Sequence, residues 1–148
     1  MIEDRINQDL KQALLNKETH LVEILRGLKS VILYAKISAN LDRSVKLEDE
    51  AMFRVLANEA KKAQESADLF LQGGSKERSD KSLKEKAIIS SYLPTQLTTD
   101  EVEKIVDEIL AKKDSNNMGQ IIAEVKVKTV GRADGSLIAQ IVKAKLMP

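Results

Sequence analysis

The chain has no cysteine, one histidine and two prolines in 148 residues. The missing thiols exclude disulfides, thiolate zinc sites and cysteine nucleophiles together, and they fit a reducing compartment. The single histidine, His20, lies beside Glu18 and Thr19 where a helix is expected to start. Sequence spacing identifies no acid or base to pair with it, so its expected role is at the surface or in capping. Aromatics are equally scarce, with Tyr34, Phe53, Phe70 and Tyr92 making up 3% of the sequence. No long apolar run exists. The longest uncharged stretch, Ala87 to Thr99, is interrupted by Ser, Thr, Gln and Pro and is too short and polar to span a bilayer. Met1, Ile2, Glu3, Asp4 and Arg5 put acids where a secretory signal has a basic region before an apolar one. The expectation is a cytoplasmic protein with no membrane contact.

What is present belongs to a folded chain: 43% hydrophobic and 32% charged residues with a formal net charge of +1. Apolar residues recur at helical spacing, and no sustained period-2 alternation occurs, so the expected fold class is all-α. Ile2, Ile6, Leu10, Ala13 and Leu14 line one face of a first helix that should stop near Asn16 and Lys17. A second helix, from about Glu18 to Asn40, carries a stripe of Leu21, Leu25, Leu28 and Ile32. Val22, Ile24, Val31 and Leu33 widen it, as expected of a central helix with several neighbours. A third carries Met52, Val55, Leu56, Ala60, Ala63, Ala67 and Phe70, and ends at Gly73 and Gly74, which tolerate left-handed backbone. A polar connector follows, then a fourth helix from about Lys81 to Leu93, stopped by Pro94.

Thr98 and Glu101 have capping-box spacing and open a fifth helix with a stripe of Val102, Ile105, Val106, Ile109 and Leu110. Two more helices carry Met118, Ile121, Ile122 and Val125, and then Leu137, Ile138, Ile141, Val142 and Leu146, with Gly131 between them. The expected organisation is an N-terminal four-helix subdomain over 1–94 and a C-terminal three-helix subdomain over 95–148.

Two local patterns have plain structural readings. Gly73, Gly74, Ser75 and Lys76 lack the spacing and preceding strand of a phosphate-binding P-loop and read as a helix C-cap. Asp100, Glu101, Glu103, Asp107 and Glu108 read as a solvated face, with acids near a helix N-terminus complementing its dipole, so no metal is expected. No cofactor and no catalytic residue can be assigned.

From Met118 onward, Lys126, Lys128, Arg132, Lys143 and Lys145 stand against Glu124 and Asp134, a local balance of +3 in a nearly neutral chain. A localised patch of this kind orients a nucleic-acid backbone; an ordinary solvated face is the other reading. Asp134 is the expected N-cap of the last helix, so an anion would be met by Arg132 and the lysines and not by the helix amides. Without aromatics in this segment, stacking of unpaired bases is not expected, which leaves backbone and shape contacts to structured RNA.

Three segments carry a family resemblance. Asn7, Gln8, Asp9, Leu10, Lys11 and then Arg26, Gly27, Leu28, Lys29, Ser30 form the first. Glu85 followed by Tyr92, Leu93, Pro94, Thr95, Gln96 and Leu97 is the second. Met118 and Gly119, then Gly131, Arg132, Ala133, Asp134, Gly135, then Ile141, Val142, Lys143 are the third. In order and spacing they resemble the GatB/YqeY family, and the third is similar to the C-terminal tail of the GatB amidotransferase subunit. Ala123 stands where many members have Gly.

The resemblance implies an accessory or tRNA-binding module associated with glutamine-dependent tRNA amidotransferase, a carbon–nitrogen ligase by family association. Its implied partners are tRNA and amidotransferase subunits. Lys126, Lys128, Arg132, Lys143 and Lys145 are the expected RNA contacts. The alternative is a non-catalytic protein–protein adaptor that docks through the charged third helix or the connector Ser75 to Ser82.

Overall fold

The computed structural model describes residues 1–112 and 117–147, which are all-helical, with seven helices and no strand. They are α1 (Ile2–Leu15), α2 (Thr19–Ser38), α3 (Asp49–Gln72), α4 (Lys76–Ser90), α5 (Thr99–Lys112), α6 (Met118–Lys128) and α7 (Gly135–Leu146). Among the described residues no helix is long and apolar enough to cross a membrane. Inter-residue contacts divide the chain into two compact units, one ending at Tyr92 and the other beginning at Leu93.

In the first unit α1 buries Ile2, Ile6, Leu10 and Ala13, a stripe at helical period. Leu14, expected on that face, is 48% exposed, because the stripe turns past it to Ala13 in the last turn. The α1–α2 turn is tight, with Lys17 in left-handed backbone at φ 55°. Helix α2 buries Val22, Ile24, Leu25, Leu28 and Ile32 and packs against both α1 and α3. Between α2 and α3, Asp42 Oδ1 accepts hydrogen bonds from the Ser44 amide and hydroxyl, both at 2.8 Å. Those bonds, the amide first, hold the Asp42 carboxyl below its ordinary pKa. Buried Leu47 and Met52 occupy the N′ and N4 positions of a hydrophobic staple around the α3 start.

Helices α3 and α4 make the most extensive pairing in the unit, through small side chains. Ala60, Ala63 and Ala67 are buried on α3, and Ser79 and Ser82 on α4. This corrects the expected start of the fourth helix: α4 begins at Lys76, and the segment expected to be a connector forms its first two turns. Burial there uses serines, so the hydrophobic pattern that marks a helix is absent from the sequence. The helix also ends earlier than expected, at Ser90, with the Ser91 amide bonded to the carbonyls of Ala87 and Ile88 before Pro94 is reached. At the α3 end only Gly74 takes left-handed backbone, at φ 85°; Gly73 remains at φ −77°.

The second unit is a three-helix cluster. Val102, Val106 and Ile109 from α5, Ile121 and Val125 from α6, and Ile138, Ile141 and Val142 from α7 form its buried core. The capping box forms at the start of α5: Thr98 N donates to Glu101 Oε1 at 3.3 Å, and Glu101 N donates to Thr98 Oγ1 at 3.2 Å.

Candidate nucleic-acid interface

The turn between α6 and α7 is built by local bonds and then fastened from outside. Thr129, 1% exposed, donates its hydroxyl to the Val125 carbonyl at 2.7 Å and closes α6. Gly131 follows in left-handed backbone at φ 73°, a conformation a side chain would strain, and the Arg132 amide bonds back to the Thr129 carbonyl at 2.8 Å. Asp134 Oδ1 accepts the Ser136 amide at 3.0 Å, which makes it the N-cap of α7. From the segment before α5, Gln96 Nε2 donates to the Gly131 carbonyl and the Leu97 amide to the Arg132 carbonyl, each at 2.7 Å. Two of the motif segments in the sequence therefore meet at one turn. With both neighbouring carbonyls held and Ala133 packed against the core, Arg132 is exposed.

The five expected contact residues fall into distinct settings. Lys126 extends over the start of α7, with Cε 3.3 Å and Nζ 3.5 Å from where a Cβ on Gly135 would lie. Lys126 and Arg132 therefore belong to the same end of α7. Lys128 instead lines a groove of about 420 Å³ with Ile109, Lys112, Glu124 and Val127, on the α5 side of α6. Lys143 is exposed in the last turn of α7.

Lys145 is engaged. Its Nζ lies 2.9 Å from Asp107 Oδ1 on α5, and that hydrogen bond, opposed by partial burial and aided by the charges of Asp107 and Glu103, raises its pKa. Its charge is locally compensated, so it adds less to an outward-facing field than the other four. Lys112 is a further cation beside this set. It closes α5, a helix otherwise read as acidic, and only the α5–α6 groove brings it beside Lys128.

Elsewhere, His20 is half-buried in the first turn of α2, and neither ring nitrogen has a hydrogen-bond partner. It makes no capping bond, contrary to one of the roles expected for it: Glu18 holds the N-cap position, and His20 lines a groove with Glu77, Asp80, Lys81 and Lys84 of α4. Among the described residues no group of three or more His, Cys, Asp or Glu side chains is placed to hold a metal ion.

Arg132, Lys126, Lys128 and Lys143 can offer positive charge to phosphates, and the fixed α6–α7 turn gives the first of these a defined origin. Lys126 and Arg132 share the start of α7, whereas Lys128 faces the α5–α6 groove and Lys143 lies in the last turn of α7, so the structure gathers two of the expected residues at one place and not all five. No curated protein matches the chain. The family model described as Yqey-like protein matches residues 3–146, almost the full sequence, and the chain belongs to the YqeY-like protein family.

Proposed function

We propose that this protein is a non-catalytic accessory module that binds the folded body of a tRNA in the cytoplasm and works alongside glutamine-dependent amidation of tRNA. The observation that carries the reading is the exposure of Lys126, Lys128, Arg132 and Lys143 on one three-helix unit, none of them in a salt bridge among the described residues. Similarity of this segment to the tail of an amidotransferase subunit supports the same assignment. Contacts of this kind position an RNA without reading its bases, so different tRNAs are bound with similar affinity. The two units act as independently folding subdomains joined after Tyr92, and the second carries the RNA contacts.

The test is tRNA binding by the purified chain at low ionic strength. Replacing Lys126, Lys128 and Arg132 with Gln should weaken binding, while the matched set Lys61, Lys62 and Lys84 in the first unit should leave it nearly unchanged. Equal losses from both sets count against the assignment.

A protein–protein adaptor is the second reading, favoured by a specific feature of α2. Tyr34 is 73% exposed and Ile37 61%, and they share one face of the helix at i, i+3 spacing. The segment Ser75 to Ser82, one of the two docking surfaces expected for an adaptor beside the third helix, forms the N-cap and first two turns of α4 on α3 and offers no free connector.

A further inference from the structure

A cleft of about 430 Å³ opens in the first unit between α1, α2 and the chain that follows α2. Its floor is apolar, with Ile6, Ile32 and Leu33, and its size is within the range of small-molecule sites. At one end lies a buried ion pair. Lys36, 4% exposed, donates to Glu3 Oε1 at 2.5 Å and to the Arg43 carbonyl at 3.2 Å. A buried pair is weak evidence for stability, because an apolar pair of similar volume serves a core as well. The two formal charges cancel, with Glu3 Oε2 buried and without a hydrogen-bond partner among the described residues, so the net positive charge of the cleft comes from the other two cations that line it, Lys29 and Arg43.

Neither of these is consumed. Neither Lys29 nor Arg43 forms an ion pair among the described residues; Asp42, next to Arg43, feels its charge but bonds the Ser44 amide and hydroxyl. The Asn7 side-chain amide, also lining the cleft, makes no hydrogen bond within the described residues. Asn7 and Lys29 belong to the first pair of motif segments in the sequence, and both are exposed. Both side chains are therefore accessible to a ligand in the cleft.

We propose that this cleft binds a small organic anion, with its charged group held by Asn7, Lys29 and Arg43 and its apolar body laid along Leu33. A carboxylate and a phosphate monoester share the required chemistry. A bare inorganic anion lacks the apolar body, and a cation meets two like charges.

The experiment is a titration of the full chain, followed by amide chemical shifts of Asn7, Lys29, Ser30 and Leu33. The probes are hexanoate, hexyl phosphate, inorganic phosphate and hexylamine. Saturable shifts are expected with hexanoate or hexyl phosphate, at least tenfold tighter than with inorganic phosphate or hexylamine, and the tighter of the two identifies the head group. Lys29→Gln and Arg43→Gln alter exposed side chains, and each should weaken binding at least threefold while circular dichroism stays unchanged. Binding of inorganic phosphate as tight as the organic anions, binding of hexylamine at equal strength, retention of affinity in both variants, or no saturable shift with any probe each overturns the proposal.

Discussion

Tyr92 donates its hydroxyl to Asp9 Oδ2 at 2.5 Å and so fastens the turn after α4 to α1, across 83 residues of sequence. The ring is 5% exposed and carries the Arg5 guanidinium 5.2 Å from its centroid. Burial first, and then the bond to Asp9, push the Tyr92 pKa far above its ordinary value, with Arg5 acting weakly in the other direction. The folded-state pKa exceeds the unfolded one, so the stabilisation is complete below pH ~10 and is lost as pH rises beyond it. In a Tyr34→Phe background Tyr92 is the one remaining tyrosine, and its tyrosinate absorbance should appear only as the helices melt. Tyrosinate forming near pH ~10 in a natively helical protein contradicts the bond. Tyr92→Phe should cost about 1 kcal/mol in thermal or urea unfolding, since exposed Asp9 regains water.

The α3–α4 pair depends on small side chains, so enlarging one is more disruptive than removing a hydroxyl. Ala67 is 1% exposed, so added carbons would have to displace packed neighbours. Ala67→Leu should destabilise by about 1–3 kcal/mol, against no more than about 0.5 kcal/mol for Ser82→Ala. Urea denaturation of the two variants measures the difference. Equal midpoints would mean that the helices are not closely packed there.

At the start of α5 the reciprocal bonds of Thr98 and Glu101 satisfy free amides, and Thr98→Ala should cost about 1 kcal/mol. Gln96→Ala removes the bond to the Gly131 carbonyl and should cost a comparable or smaller amount. It should also broaden the amide signals of Gly131 to Ala133. Sharp, unshifted signals there would show that the turn holds its shape without Gln96.

The proposed independent folding of the two units has a direct consequence. Residues 1–92 expressed alone should give a helical spectrum and a cooperative thermal transition, and Ile121→Ala in the full chain should lower the stability of the second unit by about 2–5 kcal/mol while sparing the first. One transition shifted as a whole by Ile121→Ala contradicts independence.

The helical class, the stripe of α5, the capping box and the Asp134 cap were legible because large apolar residues at regular spacing and cap residues each act locally. The first two turns of α4 were not, since Ser79 and Ser82 bury against alanines and leave no hydrophobic period to read. The basic residues of the second unit could be named from the sequence, but their partners depend on packing between helices. Asp107 reaches Lys145 only when α5 lies along α7, and Lys112 joins Lys128 only across the α5–α6 groove. The cleft of the first unit was hidden for the same reason, as Asn7, Lys29 and Arg43 are distant in sequence.

RNA binding by the second unit is tested most directly by the salt dependence of tRNA affinity. With Lys126, Lys128, Arg132 and Lys143 on phosphates, log affinity against log salt should have a slope of roughly −3 to −4. Arg132→Gln should reduce its magnitude by about 1, uniformly across different tRNAs, because a phosphate contact carries no base information. Lys145→Gln should change it much less, since Asp107 already holds that ammonium. A slope near zero, or a loss from Lys145→Gln as large as from Arg132→Gln, contradicts the account.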